Sequence, residues 1–182
     1  MVESRHLDLL RAFGAARREH SGRFLLDHLV GTHAILREWQ APDEVCLAGL
    51  FHSVYGTEIY EVQSADLGER GRVAAAIGAR AEELAYLFCV TAREGLFEAV
   101  GQSEPVLYDR VHDAPLPVSH ATLGALLEIE AANTLEQAQR LEQLEPEVVA
   151  LTREKFDLAA SHLSPAARRA LQGFRVGPNE RP

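Results

Sequence analysis

The sequence predicts an all-α domain with one short β-hairpin near residues 105–118. Three observations predict it. Apolar residues recur at helical spacing over most of the 182 residues. Proline and glycine cut that pattern into pieces of ordinary helix length. A single stretch between Pro105 and Val118 replaces it with short β-favouring runs.

Each element follows from its own residues. Leu7, Leu10, Phe13 and Gly14 set a first amphipathic helix that should run to about Glu19–Gly22. A second helix is expected from about Phe24 to Trp39, with Leu25, Leu29, Thr32 and Leu36 on one stripe. Gln40-Ala41-Pro42-Asp43 stops it, and Asp43 places negative charge at the start of the next helix. That third helix, Val45 to His52, is apolar nearly all round and should be enclosed by its neighbours. Val54-Tyr55-Gly56-Thr57 breaks it. Helices over Arg72–Ile77 and Ala81–Ala92 meet at Gly78, and Leu96–Val100 continues the series. The hairpin comes next, confined to an edge by its prolines. Ser119 caps a long helix reaching about Leu144; Pro146 and Ser164-Pro165 open the last two.

The composition is that of one globular domain, 47% apolar and 25% charged, with no repeat or low-complexity tract. One domain is expected over residues 1–172, followed by a flexible tail, 173–182, rich in Gly, Pro, Asn and Arg. A formal charge of −9 argues against binding nucleic acid or an anionic membrane, which need clustered Lys and Arg. It leaves room for a small anionic ligand held by one or two arginines, and for a homodimer. Cys46 and Cys89 sit in apolar helical runs and read as small buried hydrophobes. The first residues show no signal pattern, and no apolar run reaches membrane-spanning length, so the expectation is cytoplasmic.

Three polar residues interrupt apolar helical surfaces: His28, His52 and Asn133. Buried polar groups need partners, so three from separate helices are expected to converge. Their order and setting resemble the HD superfamily, and within it the hydrolase domain of the guanosine-tetraphosphate (alarmone) enzymes. The resemblance rests on His28, then on Phe51-His52-Ser53 closing a buried helix, then on Ala132-Asn133. The segment Ile77 to Thr91 is similar to the family's corresponding stretch. Roughly Phe24 to Glu136 is covered. The resemblance implies an HD-like helical bundle and a divalent ion held by two histidines and two carboxylates, activating water against a phosphoryl group.

The departures lie in the carboxylates. Ser53 stands where the family carries its HD aspartate and Asn133 where it carries its last one; Gly56 and Thr57 replace its following acidic pair. The implied metal set is therefore His28, His52, Asn133 and Ser53, with no negative charge. Zn, Fe, Mn or Ni are the candidate ions, and the imidazoles favour Zn²⁺, Fe²⁺ or Ni²⁺ over Mn²⁺. Glu130, one helical turn before Asn133, and Glu58, after the break, are candidates for general base. Glu130 is the preferred one, and it also reads as a solvated or salt-bridged helix residue. Tyr55, Tyr108 and Arg110 are the candidate substrate-binding residues, because a hairpin ahead of the Asn133 helix would project Arg110 over the site. Asp27 and the His112-Asp113 dipeptide are expected to stay out of it, and His33 reads as a pocket-rim or surface residue. His6, His20, His120 and His162 are expected at the surface.

Two functions compete. One is a metal-dependent hydrolase with an altered ligand set, acting on a small phosphorylated or nucleotide-like substrate. The other is a catalytically degenerate HD domain that binds a small ligand or protein partner. An HD-fold iron oxygenase similar to myo-inositol oxygenase needs more His and Asp ligands than this chain offers.

Overall fold

A computed structural model describes residues 2–17, 19–20, 23–58, 63–138 and 146–173. Its architecture is all-α with a short antiparallel hairpin. Helix α1 covers Ser4–Ala12, α2 Leu25–Glu38, α3 Asp43–Phe51, α4 Arg70–Ile77, α5 Ala79–Val90 and α6 Arg93–Glu98. Strands Val106–Asp109 and Ala114–Pro117 pair in register Val106↔Pro117 through Asp109↔Ala114. Helices α7 (His120–Ala138), α8 (Pro146–Leu158) and α9 (Pro165–Gln172) complete the chain.

The start departs from expectation. Helix α1 ends at Ala12 and does not continue to Glu19–Gly22, because Gly14 takes φ 84°, the left-handed conformation that closes helices. A 3₁₀ turn (Ala15–Arg17) and a two-residue β-pair, Glu19–His20 with Arg23–Phe24, follow instead. The expected end of α7 near Leu144 and the tail 174–182 lie outside the described residues.

The other boundaries follow from their residues. The α2 end is a Schellman closure: Gln40 adopts φ 58°, its amide donates to Arg37 O, and the Ala41 amide donates to Leu36 O. Pro42 then starts α3. Ser119 Oγ accepts from the Thr122 amide, and Ser164 Oγ from the Ala167 amide, each capping the helix it precedes.

Helix α3 is the core element, packed against α2, α5 and α7. Val45, Cys46, Ala48, Leu50 and Phe51 are all buried. The α2–α3 approach is close enough that a Cβ on Gly49 would lie 2.2 Å from Leu36 Cδ1. This crossing sets His28 of α2 against His52, the C-cap of α3. No helix among the described residues is long and apolar enough to cross a membrane.

Candidate histidine-pair site

His28 is fully enclosed and His52 is 1% exposed. Their Nε2 atoms lie 3.1 Å apart, with the rings edge to face at 79°. Behind each ring the other nitrogen is held. His52 Nδ1 is 2.7 Å from Gly49 O, and His28 Nδ1 is 2.5 Å from Glu136 Oε2.

A carbonyl only accepts, so His52 Nδ1 carries a hydrogen and donates to Gly49. In a neutral His52, Nε2 is then an acceptor. The two Nε2 atoms are within hydrogen-bond reach, and which of them donates depends on the tautomers of the two rings. The run Gly49–His52–His28–Glu136 thus consists of three contacts within hydrogen-bond reach.

Glu136 reaches His28 because position 31 of α2 is glycine. A Cβ there would lie 2.6 Å from Glu136 Oε1 and 2.8 Å from its Cγ. Glu136 is absent from the sequence-based candidates, although it lies three residues after Asn133, one turn along the same helix.

Arg93 is the second residue missed. Its side chain is 12% exposed, and its guanidinium lies 3.7 Å over the Phe88 ring, which packs edge-on against His52. Its Nη1 donates to Phe88 O. Its Nε lies 3.0 Å from Glu130 Oε2, an ion pair without hydrogen-bond alignment. Glu130 also accepts from Asn133 Nδ2 and Thr134 Oγ1. Burial pushes the Glu130 carboxyl upward, while Arg93, those hydrogen bonds and nearby His28 oppose the rise. Arg93 carries no local sequence signal, because Glu130 lies 37 positions away on another helix.

Of the candidate ligands, His28 and His52 meet directly. Asn133 Oδ1 accepts from Gln137 Nε2 and its amide donates to Glu130, so both ends of Asn133 are engaged along α7. Ser53 is buried beside His52. Among the described residues, no group of three or more His, Cys, Asp or Glu has the arrangement of a metal centre. Glu58 is exposed and accepts from the Arg93 amide.

Tyr55 and Arg110 line one small cavity of about 140 Å³, with Cys89 and Val111. Arg110 Nη2 donates to Cys89 O, and Cys89 Sγ donates to His52 O, which ties this cavity to the histidine pair. The Tyr55 hydroxyl donates to Glu82, and burial pushes it well above the usual phenol range. Tyr108 is apart from them: it is half exposed, and its hydroxyl donates to Asp113 at the hairpin turn.

The remaining expectations divide. Asp27 is exposed, as expected. His112 pairs with Asp109 rather than acting with Asp113. Burial raises the Asp109 carboxyl, but hydrogen bonds from the His112 backbone and ring, Tyr86 and Val111 outweigh it and bring it down to about 2. His6 is a correction: it is 2% exposed, packs edge-on to Phe51 and donates to Ala76 O, because α1 lies against α4. His33 is also buried rather than at the surface, and it lines a small cavity of about 230 Å³ with His6 and Arg37. His120 is exposed and His162 half-buried; the side chain of His20 lies outside the described residues.

Residues 9–93 match the family model of a domain of unknown function (DUF6817). The matched stretch carries both histidines and ends at Arg93. No curated protein and no solved structure matches the chain.

Proposed function

We propose that the chain is a catalytically degenerate HD-like domain of the cytoplasm that binds a small anionic ligand and does not hydrolyse it. The observation that supports this reading is the run Gly49–His52–His28–Glu136, in which each histidine nitrogen lies within hydrogen-bond reach of a partner in the protein. Arg93 supports it. Glu130, a buried carboxylate near enough to feel the charge of His28, is paired with a guanidinium. An ion entering there would have to compete with Arg93 for Glu130. In this reading Arg110 and Tyr55 meet the ligand at the cavity mouth.

One observation favours the metal-dependent hydrolase. Both imidazoles are anchored through Nδ1 by a carboxylate or carbonyl, which is how metal-ligating histidines are oriented. His28 and His52 would hold the ion through Nε2, and it would supply polarisation of a phosphoryl oxygen. Calorimetric titration with Zn²⁺ and Mn²⁺, followed by native mass spectrometry, separates the two. Binding without hydrolysis predicts no stoichiometric uptake. One ion per chain, lost in His52→Ala, would overturn it in favour of the hydrolase.

A further inference from the structure

A larger cleft of about 840 Å³ lies away from the histidine pair, between the α2–α3 turn, α5 and the first turns of α7. Its floor is built from short side chains, Ala121 and Ala125, and from Gly124, which leave α7 uncovered there. Gly124 is needed, since a Cβ on it would lie 3.2 Å from His162 O. Leu84 and Val45 extend the apolar surface, and Trp39 forms a wall.

One part of the cleft is cationic. Arg80 Nη2 donates to Thr122 Oγ1 in the first turn of α7, and its Nη1 donates to Glu83. A guanidinium has five donors, so others remain for a ligand. His120 opens the same turn and stacks on His162 at 5.9 Å, 21° from parallel. The helix start adds partial positive charge, although it would not define a site alone. Two carboxylates also line the cleft. Glu128 is committed to the Ser164 amide and hydroxyl, and Glu44 is exposed on the first turn of α3.

We infer that this cleft binds a small amphiphilic carboxylate, its apolar body on the Ala121–Ala125 floor against Trp39 and its head at Arg80 and His120. The size is that of a small-molecule site. At the Arg80 end, the guanidinium donors left over after Thr122 and Glu83 favour an anionic head over a neutral one. This site is independent of the histidine pair and stands or falls separately.

Trp39 is the chain's single tryptophan, so its emission reports this cleft without labelling. The probe is octanoate below its micellar range, with octanol as the neutral control. The expected result is a saturable change in Trp39 emission with octanoate and a much weaker response to octanol. Arg80→Gln should weaken octanoate by about tenfold. Ala125→Phe, which fills the floor from a half-buried position, should abolish the response while circular dichroism and the melting temperature hold. No saturable change, equal response to octanol, or unaltered binding in both variants would overturn the proposal. So would emission that varies with protein concentration alone, which would mean that a second copy covers the cleft.

Discussion

Two pairs of histidines meet in this molecule, and they differ in everything but residue type. His28 and His52 touch edge to face in the core, with each outer nitrogen held by a second partner. His120 and His162 lie nearly parallel in an open cleft, where His120 Nε2 donates to Ser103 O. Enclosure is what separates their roles. A buried imidazole must satisfy both nitrogens inside the protein, so the core pair is a structural network first. An imidazole at a cleft can exchange its partner for water or a ligand.

The largest test of this contrast is His52→Ala. It removes a packed ring and leaves His28 Nε2 and Gly49 O to find new partners, and should cost about 3–4 kcal/mol in denaturant unfolding. A cost near that of a surface change would mean that the core pair is not a continuous network. Gly31→Ala should cost less, about 1–2 kcal/mol, because Glu136 can be displaced from His28 but only by moving its Cγ as well. If Gly31→Ala unfolds like the parent, Glu136 does not sit where we describe it.

His33 supplies a pH dependence separate from both pairs. Burial, then Arg37, lowers it from 6.5 to about 4. The unfolded chain therefore binds a proton that the folded chain refuses. Stability should be constant above about pH 6.5, fall as pH drops from there towards 4, and level off below for this group. Melting temperatures across that window check the slope, and His33→Gln should flatten it by an amount on the order of 2 kcal/mol. The smallest effect is expected for His162→Ala, within about 0.5 kcal/mol. A large loss there would erase the contrast between the pairs.

Much of the fold is legible because helices announce themselves locally. Pro42, Gly78, Pro146 and Ser164 mark boundaries that the structure keeps. The first helix misleads because its apolar spacing runs on past Gly14, whereas a left-handed glycine stops it. The meeting of His28 and His52 follows from the need to satisfy buried polar groups. Glu136 and Arg93 are illegible for another reason. Glu136 approaches His28 across 108 positions, and its access depends on Gly31, a glycine with no turn to explain it. Charged residues on helices are common, and only tertiary packing shows which are enclosed. The burial of His6 and His33 escapes the sequence for the same reason.

We propose that a hydrogen, rather than a metal ion, lies between His28 and His52. Nitrogen NMR of ¹⁵N-histidine-labelled protein reads each ring nitrogen directly. The expected spectrum has a hydrogen on His52 Nδ1, a shared hydrogen between the two Nε2 atoms, and signals that do not move when Zn²⁺ is added. Movement of both Nε2 signals to metal-bound positions, with release of a proton, would contradict it.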